Sequence, residues 1–151
     1  MTSHCRRELK TQGLSALAKH PNLPHAWRET DNSLTLEFPP TVPDGFIIRI
    51  VAREESIDLY ARGFQTHFDD SPDPARLVTG ALGLARDLLS PAMRLRELLA
   101  GGTPYRWFIQ RRVGDKWQNE EEFGLLFWNY LGQRSEALYH NTQLPPREAA
   151  A

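Results

Sequence analysis

The stretch that decides the fold is Ser71-Pro72-Asp73-Pro74-Ala75-Arg76-Leu77-Val78-Thr79-Gly80-Ala81-Leu82-Gly83-Leu84-Ala85-Arg86-Asp87-Leu88-Leu89-Ser90-Pro91. Leu77, Val78, Ala81, Leu82, Ala85, Leu88 and Leu89 recur three and four residues apart, the period of a helix with one apolar side. Ser71 is a helix-capping residue type, Pro72 suits the first helical position and Asp73 is favourable in the first turn. The spacing therefore predicts a helix over about 72–90, stopped by Pro91. The far side of that helix carries Arg76, Gly80, Gly83 and Asp87. Each glycine costs about 1 kcal/mol relative to alanine, so a close neighbour is expected there.

On both sides of this helix the chain reads as strands. Upstream, Trp27–Thr30 and Ser33–Phe38 flank Asp31-Asn32, a pair suited to a tight hairpin. Phe46–Arg53 and Ser56–Phe68 follow, the second with Ile57, Leu59 and Ala61 alternating with polar positions and Gly63 marking a bulge or bend. These four strands imply an antiparallel meander. Downstream, Met93–Leu99 and Tyr105–Val113 are joined by Gly101-Gly102, and Gly114-Asp115 leads into Trp117–Phe123. Leu125–Leu131 and Arg134–Asn141 form a last hairpin around Gly132-Gln133. Before all of this, residues 4–19 form a helix after Ser3, with Leu9, Leu14 and Leu17 on one side, weakened by Gly13 and ended by His20-Pro21.

The expectation is a single α+β domain over residues 1–144, with 145–151 a flexible C-terminal tail. One large bent antiparallel sheet of about seven to nine strands in hairpins packs against the long central helix and a shorter N-terminal helix. At 151 residues such a domain can bury a core without disulfides or metal. The single cysteine, Cys5, excludes an internal disulfide and points to a reducing, cytoplasmic compartment. Beside Arg6 and Arg7 it reads either as a reactive thiol or as part of a frayed terminus. No signal peptide is legible, and no apolar run is long enough to span a bilayer.

Charge narrows the function. Eighteen basic and nineteen acidic residues leave a net charge of -1, which removes the overall attraction that nucleic acids and anionic membranes exploit. Among the basic residues fifteen are arginine and three lysine. Residues 86–117 hold seven basic against three acidic side chains, but Glu120–Glu122 return beside them and disfavour phosphate.

Two constellations stand out. In Gly63-Phe64-Gln65-Thr66-His67-Phe68-Asp69-Asp70, an uninterrupted strand puts His67 and Asp69 on one face. They are candidate catalytic residues, a base with its orienting carboxylate, at the wall of a pocket between helix and sheet. The competing reading is a strand end followed by a helix start. The second is a surface. With two-residue loops at Gly101-Gly102 and Gly114-Asp115, Arg94, Arg96, Tyr105, Trp107 and Arg111 share a face with Glu120 and Glu122. Met93, Leu95, Leu99, Phe108, Trp117 and Phe123 then form the core face. Arginine mixed with aromatic rings is the composition enriched in protein–protein hot spots, so the five residues are candidate partner-binding residues; a solvated strand face is the plainer alternative. The last hairpin carries Trp128, Tyr130 and Tyr139 opposite Phe127 and Leu138, which fits an interior strand pair or a homodimer contact. No nucleophile elbow, dinucleotide or phosphate-loop motif and no zinc-ligand spacing occurs, so no cofactor and no metal are expected.

The run Leu59-Tyr60-Ala61-Arg62-Gly63-Phe64-Gln65-Thr66-His67-Phe68, the helix, Gly102-Thr103-Pro104-Tyr105-Arg106-Trp107 and Gly114-Asp115-Lys116-Trp117 together resemble small bacterial α+β proteins, some similar to the immunity proteins of polymorphic toxin systems. The resemblance covers roughly residues 55–140 and supplies no site residue. It implies a protein that binds a partner, such as a toxin, without catalysis.

Overall fold

The computed structural model describes residues 4–125 and 131–147. Their fold is α+β, with two helices and two antiparallel sheets. In chain order the elements are α1 (His4–Ala18), β1 (Ala26–Glu29), β2 (Leu34–Phe38), β3 (Ile48–Ala52), β4 (Ile57–Ala61), β5 (Phe64–Phe68), α2 (Pro74–Leu88), β6 (Met93–Ala100), β7 (Thr103–Val113), β8 (Lys116–Gly124) and β9 (Arg134–Tyr139). The first sheet is a meander ordered β1-β2-β3-β4-β5, and the second is ordered β8-β7-β6-β9. The one large sheet expected from sequence is thus two sheets of five and four strands, separated in the chain by α2. The two helices are also equal, at 15 residues each, rather than one long and one short.

The core follows from alternation. Leu34, Leu36, Ile48, Ile50, Ile57, Leu59 and Ala61 are buried at every second position of β2, β3 and β4. Both helices pack on this sheet. α2 brings Leu77, Val78, Ala81, Ala85 and Leu88 to it, with the expected helical period. Its start lies two residues later than the sequence reading. Asp73, not Ser71, is the cap: its carboxylate accepts from the Ala75 N–H at 3.0 Å, and Pro74 takes the first turn. The Ser71 hydroxyl instead accepts from the Asp73 N–H at 3.1 Å.

α1 buries Cys5, Leu9, Gly13 and Leu17, four residues apart, and turns Leu14 outward at 50 % exposure. Cys5 is therefore a core residue, 1 % exposed, and not part of a frayed terminus. Gly13, which weakens the helix on propensity, is where Trp27 docks: a Cβ there would sit 2.7 Å from the Trp27 ring. Gly13→Ala is expected to destabilise the fold by about 1–2 kcal/mol, because the overlap exceeds the roughly 1 kcal/mol gained in helix propensity. Urea unfolding checks this, and a stabilised variant would show that Trp27 moves aside freely.

The expected strand Ser56–Phe68 is in fact the hairpin β4–β5. Ala61 pairs with Phe64, so Arg62-Gly63 is a two-residue turn, with Arg62 at a φ of 57°. This turn reaches the second sheet, where Gly63 lies flat on Trp107; a Cβ would come within 2.2 Å of the indole. The sheets are also tied by Asn141, fully buried, whose side chain accepts from Phe46 N–H at 3.0 Å and donates to Phe46 C=O at 3.1 Å. The Leu144 N–H donates to the Leu89 carbonyl at 3.0 Å, and Arg147, within the segment expected as a tail, pairs with Asp87 at 2.7 Å. No helix among the described residues is long and apolar enough to cross a membrane.

Candidate functional site

The second sheet decides where the candidate binding residues go. From the Gly101-Gly102 turn, Ala100 pairs with Thr103 and Leu99 with Pro104, as a two-residue loop demands. The register then shifts, and Leu98 pairs with Arg106, Glu97 with Trp107, Arg96 with Phe108 and Arg94 with Gln110. Tyr105 is the inserted residue. Because side chains alternate, one inserted residue exchanges the faces. A second insertion, Glu120, falls between the Gln110–Asn119 and Ile109–Glu121 pairs, while Arg111 stays opposite Gln118 as expected.

The five candidate residues therefore do not share a face. Trp107 and Arg111 point inward with Met93, Leu95 and Ile109, whereas Arg94 and Arg96 point outward. Trp107 is 5 % exposed and belongs to the core. Its indole N–H donates to Glu97 Oε2 at 2.7 Å, and Phe123 stacks beside it at 5.9 Å. The buried Glu97 carboxylate also takes Arg62 Nε at 3.0 Å and the Tyr139 hydroxyl at 3.4 Å. Burial, followed by the Glu97 charge, raises the Tyr139 pKa and keeps that phenol protonated. Arg111 is likewise used internally, by Asp87 at 2.9 Å and by Glu120.

The outward face holds Phe108 and Trp117, both expected in the core, together with Arg94, Arg96, Leu138 and His140. Arg94 lies over the Trp117 ring at 4.2 Å and Arg96 near the Phe108 ring at 5.8 Å. Beside the bulge, Arg134 sits 5.2 Å from the Tyr105 ring. Arg94 Nε donates to Gln110 Oε1 at 2.7 Å, and Gln110 Nε2 donates to Asn119 Oδ1 at 2.8 Å. Arg96 Nε donates to Glu136 at 2.6 Å. His140 meets Trp117 edge-on at 6.0 Å. Burial first, then the nearby Arg94 charge, lowers the His140 pKa, with Asp44 opposing. The result is two arginines beside aromatic rings, Arg94 held by the Gln110 amide and Arg96 by the Glu136 carboxylate. A pairing ladder run straight through Pro104 puts Phe108 and Trp117 on the core face; Pro104 lacks the N–H that a regular ladder uses, and the bulge beside it turns both outward.

His67 and Asp69 come together, but His67 does not line a helix–sheet pocket. His67 sits on the outer face of the first sheet, its side chain 53 % exposed. Its Nδ1 faces Asp58, the cross-strand partner, and its Nε2 lies 3.6 Å from Asp69. Asp58 also binds Arg53. The imidazole thus lies between two surface carboxylates. The hollow beside it is 270 Å³ and lined by Asp58, Tyr60, Gln65 and Thr66. Asp69 instead borders a separate cleft of 790 Å³ with Cys5, Glu54, Glu55, Asp70 and Ser71. There burial, reinforced by Glu55, raises the Cys5 pKa, which favours the protonated thiol over a reactive thiolate. Among the described residues no group of three His, Cys, Asp or Glu side chains is arranged to hold a metal ion.

Of the last hairpin, Arg134–Tyr139 pairs with β6, whereas Phe127, Trp128 and Tyr130 lie outside the described residues. Compared with known protein families, curated proteins and solved structures, the chain matches none.

Proposed function

We propose that this chain is a non-enzymatic protein-binding protein, of the immunity or regulatory kind, whose partner seats on the outward face of β8-β7-β6-β9. The observation that carries the reading is the pair of ring-backed arginines, Arg94 on Trp117 and Arg96 near Phe108, on a face opposite the buried Met93, Leu95 and Ile109. Arginine and aromatic side chains contribute most per residue at protein interfaces, and those already held in place lose little entropy on docking. The immunity assignment rests on the resemblance of residues 55–140, and cytoplasmic residence on the single cysteine.

The test is affinity capture from the native host, identification of the captured protein, and measurement of its Kd with purified components. Trp117→Ala and Phe108→Ala are each expected to weaken binding tenfold or more, roughly 1.4 kcal/mol, with far-UV circular dichroism unchanged. Wild-type affinity in both variants would reject this face. Should the captured protein be the chain itself, the same two variants turn a dimer into a monomer in light scattering, and the face becomes a self-interface.

A further inference from the structure

The arginines of the second sheet are not equivalent. Arg96 is matched by Glu136, and Arg111 by Asp87 and Glu120. Arg94 differs. Its Nε is taken by Gln110 and its plane is laid on Trp117, yet among the described residues it has no carboxylate within 4.0 Å. Its two terminal nitrogens have no hydrogen-bond partner there, and neither is sealed from solvent. Arg94 is nevertheless half-buried, and burial, with Arg96 adding and Glu136 opposing, makes the cation harder to hold than a free arginine's. A half-buried guanidinium fixed at one nitrogen and stacked on a ring has given up part of its hydration without contacting a carboxylate among the described residues.

We infer that Arg94 is the anchor for an acidic side chain, an Asp or Glu carboxylate, on the protein partner that binds this face. The inference rests on the proposed function and deepens it by naming the partner's chemistry. With Nε occupied, the two terminal nitrogens form a forked pair that matches the two oxygens of one carboxylate. Gln110, itself held by Asn119, and the Trp117 ring set the orientation of that fork before the partner arrives. Glu122 and Glu136 on the same face repel a polyanion such as a nucleic acid.

The experiment uses the full chain, isotopically labelled, and follows the Arg94 Nε–H and Trp117 indole N–H resonances. The probes are a blocked Gly-Glu-Gly-Glu-Gly peptide, its Gly-Gln-Gly-Gln-Gly counterpart and inorganic phosphate. The Glu peptide is expected to shift both resonances saturably, in the millimolar range, and the Gln peptide to leave them in place. Arg94→Lys keeps the charge but loses the fork and the stacking, so it is expected to weaken the Glu peptide about tenfold without changing the thermal midpoint. Equal shifts from the Gln peptide, no saturable shift, or indifference to Arg94→Lys would overturn the inference. Phosphate binding tighter than the Glu peptide would also overturn it, assigning the fork to a phosphorylated ligand. Should the peptide fail while Trp117→Ala still weakens the purified partner, the acidic anchor falls and the binding face stands. Should the peptide succeed while the partner ignores both Trp117→Ala and Phe108→Ala, both proposals fall.

Discussion

Trp107→Ala is expected to lower the stability of this protein by about 3–5 kcal/mol, the range for emptying a buried aromatic site. In a domain of this size that is a fall of roughly 10 °C or more in thermal midpoint. Trp107 fills the junction where the Arg62-Gly63 turn of the first sheet meets the inward face of the second. Removing the ring opens a cavity under Gly63 and also deletes one of the donors to the buried Glu97 carboxylate, 2 % exposed. Trp107→Phe separates the two effects. It keeps most of the packing against Phe123, loses the indole N–H, and is expected to cost about 1–3 kcal/mol, the price of a weakened hydrogen-bond set around a buried charge. Urea unfolding of both variants supplies the comparison. A Trp107→Ala protein as stable as wild type, but unable to bind its partner, would return Trp107 to the recognition surface.

This result matters for what was legible in the sequence. Alternation along β7 is correct as read: Trp107, Ile109 and Arg111 do share a face. What could not be read is which β6 residues stand opposite them, because register is a relation between two segments and a single insertion at Tyr105 reverses it. Arg94, Arg96, Tyr105, Trp107 and Arg111 all lie on strands of the second sheet, and the bulge divides the set between its two faces. The same limit applies at Gly63. A strand with a kink and a two-residue hairpin differ little in sequence, yet the hairpin turns His67 onto a solvent face and aims the Arg62 guanidinium at Glu97. The helices were legible because their signal is local. Even there, Leu14 and Gly13 exchanged roles, since the docking of Trp27 outweighs the helix propensity of residue 13.

The second large effect is expected at Asp87, and it carries a pH signature. Asp87 lies in the last turn of α2, the end of a helix where a negative charge is unfavourable. It is buried, and its carboxylate is closed in by Arg147, with Nε at 2.7 Å and Nη2 at 2.8 Å, and by Arg111 Nη2 at 2.9 Å. Burial by itself pushes the carboxyl pKa up and is the largest single influence. The hydrogen bonds from Arg147 and Arg111, with their charges, outweigh it together, so the pKa lies below the ordinary aspartate value. A carboxyl whose folded pKa is depressed contributes its full stability above the unfolded value of about 3.9 and loses it as pH falls through the folded value. Asp87→Asn is therefore expected to destabilise by about 2–3 kcal/mol at pH 7, less than a fully buried pair would cost because both arginines keep contact with water. The gap between variant and wild type should then begin to close as pH drops below about 4, where the unfolded carboxyl takes up its proton, and go on closing until pH passes the lower folded value. Arg147→Ala, from the segment read as a loose tail, should show the same closing gap at about 1 kcal/mol. Chemical unfolding at pH 7, 5 and 3 measures all three proteins. A penalty for Asp87→Asn that stays constant down to pH 3 would mean that the ion cluster contributes shape rather than charge to the junction between α2, β7 and the C-terminal segment.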